Sequence, residues 1–130
     1  SNFYKNLNKN EKFSFVGFGS VSGYLGRKVN VNYAAAKRAL ESFFESLSFS
    51  TENTGVKVQF YVLGYMDTNL AFGNNLKLPK GKVYKLAEIV YKNRNKKYKK
   101  IFYPSFWLFI CKILLITPLN ILRLFKNFLK

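Results

Sequence analysis

The sequence predicts an α/β fold built on a parallel β-sheet. Strand-like and helix-like segments alternate along the chain, which is the pattern of a parallel sheet with helical crossovers. The first strand is a short apolar and aromatic run closed by glycine, and such runs are typical of strands buried by neighbours on both sides. The second strand is rich in β-branched and aromatic residues, which favour extended structure.

The predicted elements follow in the order strand, helix, strand, helix, strand and tail. Residues 13–19 (FSFVGFG) predict the first strand, and residues 56–63 (VKVQFYVL) predict the second, which Gly64 closes. A helix is predicted over residues 33–49, with Asn32 as its N-cap. Its apolar face would consist of Ala36, Leu40, Phe43, Phe44 and Leu47. Residues 85–93 predict the second helix, and residues 101–103 the third strand.

Composition narrows the functions that this chain can have. There is no histidine and one cysteine, so His-based catalysis, a disulfide framework and a multi-cysteine zinc site are excluded, and no metal is expected. The formal charge of +16 indicates an anionic partner, either nucleic acid or an anionic membrane surface. Only 4 of the 22 cationic residues are Arg, the residue that nucleic-acid readers prefer, and no reader motif is present. We therefore expect no nucleic acid.

A proton-transfer site is indicated where the strands end. Tyr33 and Lys37 are four residues apart and project from one helix face, while Ser20 follows the first strand. Ligands bind outside the carboxyl ends of strands in open α/β sheets. A cation one turn from a phenol favours the phenolate, so such a Tyr can give or take a proton at a carbonyl or alcohol oxygen.

Each of these features also has an ordinary structural interpretation. The Tyr-x-x-x-Lys pair is common on solvated helix faces, Ser20 suits a turn, and Gly64 suits the end of a strand. Their conjunction is far more specific, because Ser20 lies thirteen residues before Tyr33, and a Gly-x-x-Asp-Thr segment follows the next strand.

The stretch FVGFGSVSGYLGRKVNVNYAAAKRALESFFESL, followed by VKVQFYVLGYMDT, resembles the carboxyl-terminal half of the short-chain dehydrogenase/reductase family, over roughly residues 10–104. The resemblance implies part of a Rossmann-like domain over residues 1–104. It also implies an NAD(P)-dependent oxidoreductase that reduces a carbonyl or oxidises an alcohol. By resemblance, the catalytic residues are Ser20, which positions the substrate carbonyl, Tyr33, which is the acid/base, and Lys37. Tyr33 and Lys37 are also cofactor-binding residues, and Lys37 binds the nicotinamide ribose.

The same resemblance assigns the loop after the second strand to cofactor binding. The family's Pro-Gly-x-Val-x-Thr segment falls on residues 63–68, with Leu63 in place of the proline. Gly64, the Met66 backbone and the Thr68 side chain would then lie at the nicotinamide carboxamide. The weaker substrate candidates are Ser22 and Tyr65.

The family's Gly-rich phosphate-binding turn is not found in these residues. We therefore expect a fragment of a longer protein, inactive alone, whose cofactor is NAD or NADP and whose cofactor site lies mostly outside this chain. The full-length protein is expected to be a cytoplasmic homo-oligomer. Membrane contact would place it at the inner face of the membrane. The alternative is a catalytically inert, basic membrane-surface or scaffold module.

Residues 105–130 predict an amphipathic helical tail. About 13 helical residues between Pro104 and Pro118 span roughly 20 Å, which is short of the roughly 30 Å of a bilayer's hydrocarbon core. The tail has no acidic residue, and its apolar residues alternate with Lys and Arg, which suits peripheral contact with anionic lipid. The alternative is packing on the domain or on a partner subunit. The predicted apolar face consists of Phe106, Trp107, Phe109, Leu114, Leu115, Leu119, Leu122, Leu124, Phe125 and Phe128. The cations expected at its rim are Lys112, Arg123, Lys126 and Lys130.

The order of motifs in the tail is similar to that of ketoreductases of polyprenyl-linked sugar metabolism, of the decaprenyl-phosphoribose 2-ketoreductase type. That order is Tyr-Pro, an apolar helix with a Trp, a proline and a second basic helix. This resemblance implies a small-molecule or lipid-linked carbonyl as the substrate.

Overall fold

A three-stranded parallel sheet with helices against both faces organises the chain. The computed structural model describes residues 13–24, 30–68 and 78–124. Its strands are β1 (Ser14–Ser20), β2 (Lys57–Leu63) and β3 (Lys99–Tyr103). Its helices are α1 (Val31–Ser50), α2 (Val83–Asn93), α3 (Phe106–Ile116) and α4 (Leu119–Leu124), and a 3₁₀ turn (Val21–Tyr24) follows β1.

The strand order β1-β2-β3 confirms the predicted α/β class with a parallel sheet. Ser20 pairs with Leu63, and Leu63 pairs with Tyr103, so all three strands end at the same edge of the sheet. The strand boundaries differ by one or two residues from those predicted: β1 extends to Ser20, and β3 begins at Lys99.

The central strand β2 carries the middle of the core. Phe60 and Val62 are fully buried on the face that α1 covers, and the Phe60 ring lies 5.3 Å from the Phe44 ring of α1 between centroids. Gly17 of the neighbouring strand β1 leaves room for this pair, because a Cβ there would lie 2.6 Å from Phe44 Cζ. Tyr61 is buried on the opposite face, where its hydroxyl group donates a hydrogen bond to Gln59 Oε1. Burial raises the pKa of Tyr61, and a hydrogen bond from Asn93 of α2 opposes the rise.

Helix α1 differs from the prediction at its start. It begins at Val31, and its N-cap is Asn30, whose backbone is left-handed at φ 65°. The prediction of Asn32 as N-cap was therefore wrong. Asn is one of the few residues that tolerate this conformation, and the Asn30 carbonyl accepts a hydrogen bond from Ala34 N at 3.0 Å. A cap made by backbone geometry alone carries no side-chain signal.

The buried face of α1 is also rotated from the predicted one. Phe44 and Leu47 are buried as expected, but Ala36 and Phe43 are exposed. Glu41, which apolar periodicity could not assign to the core, is only 4% exposed. The hydrogen-bonding groups that face its carboxylate make this burial possible.

Three donors satisfy the Glu41 carboxylate. Tyr24 donates through its hydroxyl, Lys100 Nζ lies 2.7 Å away, and Arg38 Nη1 lies 3.2 Å away. Lys100 also binds Glu45 at 2.9 Å, so the cluster joins α1 to the 3₁₀ turn and to β3. Burial lowers the pKa of Lys100, but its hydrogen bonds to the two carboxylates outweigh this effect and raise the pKa overall. Burial, aided by the bond to Glu41, raises the pKa of Tyr24.

Helix α3 packs on the domain through one face. Trp107 is 4% exposed, and both it and Cys111 belong to the main core cluster. The expectation that Trp107 faces lipid was therefore wrong, because this indole fills space beside the sheet. A break at Pro118 separates α3 from α4. The predicted tail residues 125–130 lie outside the described residues, and within the described part of the chain no helix is long and apolar enough to span a membrane.

We predict that Glu41→Gln costs about 2 kcal/mol in the free energy of unfolding. Loss of the charge weakens three hydrogen bonds at a buried site, and among the described residues Glu45 is then the one carboxylate that still pairs with Lys100. Urea denaturation monitored by circular dichroism measures the effect. Glu45→Gln is the matched control, since its carboxylate is half-exposed and its loss should cost under about 1 kcal/mol. Equal losses in the two variants would contradict the role given to Glu41.

A second prediction concerns the buried thiol. Burial raises the pKa of Cys111 to about 11, from an ordinary value of 9.0. Only the thiolate is alkylated, so the folded protein at pH 8 presents about a hundredfold less reactive sulfur than an exposed thiol, and burial slows access further. Mass spectrometry after iodoacetamide treatment should show slow labelling in buffer, faster labelling as pH rises toward 11, and complete labelling in guanidinium. Rapid labelling of the folded chain would place Cys111 outside the core.

Candidate active site

The candidate site lies where β1 and β2 end side by side. Ser20 is the last residue of β1 and pairs with Leu63, the last residue of β2, which Gly64 follows. Adjacent strands lie roughly 4.8 Å apart. The sheet register therefore brings Ser20 next to the loop that begins at Gly64, although 44 positions separate the two residues in the sequence.

A local hydrogen-bond pair fixes the Ser20 hydroxyl group. Ser20 Oγ accepts a bond from Ser22 N at 3.2 Å and donates to Ser22 Oγ at 3.2 Å. The bond to the Ser22 backbone forms because the chain turns into the 3₁₀ segment directly after the strand. Ser22 thus orients the hydroxyl group that the sequence singled out.

Helix α1 brings Lys37 to the same strand end. Lys37 Nζ donates to the Phe18 carbonyl oxygen at 2.9 Å, and Phe18 lies two residues before Ser20. The same Nζ lies 5.7 Å from the centroid of the Tyr33 ring, one helical turn away. Tyr33 is 49% exposed, so solvent or a ligand can reach its ring. The ammonium group of Lys37 therefore connects the phenol on α1 to the end of β1.

The loop after β2 is held by backbone hydrogen bonds. Gly64 N donates to the Tyr103 carbonyl oxygen at 2.9 Å, which joins the loop to the end of β3. Gly81 N donates to the Tyr65 carbonyl oxygen at 2.8 Å, and Asp67 N donates to the Gly81 carbonyl oxygen at 2.9 Å. Residues 64–67 are thereby fixed beside the segment that precedes α2, whereas residues 69–77 lie outside the described part of the chain.

The remaining predicted cofactor residues lie on this fixed segment. The Met66 carbonyl oxygen accepts a bond from Thr68 N at 3.0 Å, and Thr68 is exposed. Asp67 forms a salt bridge with Lys82 at 3.0 Å, and the hydrogen bond from Lys82 lowers the pKa of the Asp67 carboxyl group. Sequence analysis had not predicted this ion pair, because its two members are 15 residues apart on an irregular segment.

Trp107 is the site neighbour that sequence analysis placed wrongly. Its indole covers Gly64, where a Cβ would overlap the ring and lie 2.7 Å from Cε2. The Tyr65 and Trp107 rings are 5.7 Å apart between centroids. Trp107 Nε1 is buried without a hydrogen-bond partner among the described residues. A glycine that directly ends an apolar strand was the available signal, since it marks a close approach of other atoms.

Comparison with known proteins supports the sequence resemblance. The family model described as short chain dehydrogenase matches residues 1–78. Hydroxysteroid 11-beta-dehydrogenase 1-like protein A of Xenopus laevis is 35% identical over 99 residues, which cover 72% of this chain and 34% of that protein. The 3-oxoacyl-acyl-carrier-protein reductase of Buchnera aphidicola is 38% identical over 61 residues, which cover 47% of this chain and 25% of that protein. The matches thus span about a third and a quarter of the length of these two relatives. The decaprenyl-phosphoribose 2-ketoreductase subtype stays a prediction.

We predict that Gly64→Ala destabilises the chain by about 1–3 kcal/mol, because the new methyl group must displace the Trp107 indole or the strand end. Urea denaturation, with tryptophan fluorescence as a second probe of the indole, measures this cost. Gly23→Ala is the matched control, because a Cβ there meets its nearest atom, the backbone nitrogen of Arg38, at an ordinary 3.4 Å. Similar losses in both variants would show that the Trp107 contact is not the cause.

Proposed function

Because the chain belongs to the short-chain dehydrogenase family, we propose that it provides the proton-transfer site of an oxidoreductase that interconverts a carbonyl and an alcohol. Members of this family are oxidoreductases that generally use NAD or NADP. The observation that carries the proposal is the position of Lys37 Nζ, bonded to the Phe18 carbonyl oxygen at the end of β1 and one helical turn from Tyr33.

Tyr33 is the proposed proton donor in the reductive direction. Its phenol O–H bond breaks as the proton moves to the substrate oxygen, and the phenolate that remains is stabilised by the nearby ammonium group of Lys37. In the oxidative direction, the phenolate takes the proton of the alcohol. The nicotinamide cofactor, when bound, supplies or accepts the hydride at the substrate carbon.

Ser20 is the proposed partner of the substrate oxygen. Its hydroxyl proton points to Ser22 Oγ, so it must turn from Ser22 to donate to a carbonyl. The Ser22 N–H bond to Ser20 Oγ can persist during this rotation, because it uses an oxygen lone pair and not the hydroxyl proton. Ser22 would therefore hold the oxygen atom in place while the hydroxyl proton changes its acceptor.

The residues present fit the nicotinamide end of such a cofactor. An ammonium group has three donors, and the Phe18 carbonyl takes one from Lys37, which leaves capacity for the ribose hydroxyls. The backbone bonds of residues 64–67 present a fixed edge beside the site, with Thr68 exposed next to it. We propose that Gly64, Met66 and Thr68 contact the carboxamide there.

For the substrate, we favour a carbonyl carried on an apolar or lipid-linked molecule. The loop that flanks the site packs on the apolar helix α3, where the buried Trp107 indole supports the half-buried Tyr65 ring, so one aromatic ring adjoins the polar groups. Such a combination suits a substrate that is mostly apolar with one reactive oxygen. The choice between NAD and NADP, and the homo-oligomeric state, stay predictions.

We predict that Tyr33→Phe lowers the rate of carbonyl reduction at least about a hundredfold, because it removes the hydroxyl group that donates the proton and leaves the ring in place. The variant is made in protein expressed from the complete reading frame and assayed by oxidation of NADH or NADPH. Binding of the reduced cofactor, followed by its fluorescence, should change little.

Tyr91→Phe is the matched control. It removes the same atom from a tyrosine that is also exposed but lies near the end of α2, where the chain returns to the start of β3. Unchanged turnover in Tyr33→Phe would overturn the catalytic assignment and favour the inert scaffold. Equal losses in both variants would indicate a structural effect instead.

A further inference from the structure

We propose that the outer surface of α3 and α4 docks on an anionic lipid bilayer. This lipid-docking surface consists of the exposed residues Phe109, Lys112, Ile116, Leu119, Arg123 and Leu124. The proposal concerns where the protein is held, and it does not depend on the catalytic assignment.

Helix α3 is apolar on both its inner and outer sides. Trp107 and Cys111 fill the inner side against the core, yet Phe109 and Ile116 project outward at 70% and 81% exposure. Lys112 is the one charged residue of this helix. Helices that are apolar all round are normally covered on every side, so the outer side of α3 requires an apolar environment that the described chain does not provide.

Helix α4 follows α3 after Thr117 and Pro118 and is exposed as well. None of its residues is buried, and Leu119 and Leu124 are 70% and 83% exposed. A six-residue helix with no buried side chain gains almost nothing from packing on the domain. Its leucines would instead gain favourable free energy if they entered an apolar phase.

The positive charges on this surface favour an anionic bilayer as its partner. The exposed cations Lys112 and Arg123 lie among the apolar side chains, and the sequence has no Asp or Glu after Glu88. Long cationic side chains can extend to phosphate groups while their neighbours enter the acyl region. An anionic bilayer therefore satisfies both parts of the surface at once.

A second copy of this chain fits the surface less well. A two-fold contact brings the same surface of both copies together, so Lys112 and Arg123 would meet a surface that carries the same two cations and no carboxylate. Apolar burial would favour that contact while charge repulsion opposed it. A lipid bilayer with anionic headgroups supplies apolar burial without this repulsion.

The dimensions of the helices favour docking in the plane of the membrane. The eleven residues of α3 extend about 16 Å, roughly half of the hydrocarbon thickness. Because the inner side of α3 also holds Trp107 against Gly64, a bilayer under the outer side would lie one helix diameter, about 10 Å, from the candidate site.

Vesicle flotation of the protein with its tail intact tests this proposal. We expect binding to phosphatidylcholine vesicles that contain a minority of phosphatidylserine, and much weaker binding to pure phosphatidylcholine. Lys112→Glu with Arg123→Glu should weaken binding at least about tenfold. Lys85→Glu with Lys92→Glu, on the exposed side of α2, makes the same change in net charge and should weaken binding no more than about threefold.

An apolar variant separates lipid docking from general attraction of a basic protein. Phe109→Ser with Ile116→Ser should weaken vesicle binding at least about tenfold, whereas Phe49→Ser with Tyr91→Ser, which removes exposed rings elsewhere, should leave it unchanged. Circular dichroism confirms that each variant is folded. The proposal is overturned if both charge reversals act equally, if the intact protein does not bind vesicles, or if Phe109→Ser with Ile116→Ser dissociates an oligomer in gel filtration and leaves vesicle binding intact.

Discussion

The parallel alignment of the three strands is the constraint on which the rest of this structure depends. Because Ser20, Leu63 and Tyr103 end their strands side by side, three separate connections of the chain start from one edge of the sheet. One connection leads into α1, whose Lys37 returns to the Phe18 carbonyl. The hydrogen bonds of the sheet therefore already hold the strand ends, and with them Ser20 and the Phe18 carbonyl, in fixed positions at that edge.

Much of this arrangement could be predicted because local patterns agree with the global fold. Continuous apolar runs marked β1 and β2, and the order of elements indicated the parallel sheet, which the structure confirms. Of the residues that carry the proposed chemistry, Ser20 ends β1, and Tyr33 and Lys37 lie in the first two turns of α1. The carboxyl ends of parallel strands are where sheet topology predicts a site. Their catalytic roles stay predictions, since proximity at a sheet edge fixes geometry and not reactivity.

What could not be predicted depends on contacts between residues that are distant in sequence. Glu41 is buried because Lys100, 59 residues later, places an ammonium group against its carboxylate. Periodicity assigns each side chain to the core or the surface from its own polarity, so it predicts Phe43 as buried and Glu41 as exposed. The true face follows from charge pairing across α1 and β3, which a single helix cannot reveal.

Trp107 shows the same limit at the site, and it connects the site to the tail. Judged by polarity alone, its indole belongs with the other apolar side chains of α3, all of which suit lipid. The absence of a side chain at Gly64 makes the difference, because it opens space at the end of β2 that only a residue from a later element can fill. Once Trp107 occupies that space, the rotation of α3 is fixed, and Phe109 and Ile116 must project outward. The same contact that shapes the loop beside Ser20 therefore determines which side of α3 remains for an apolar partner.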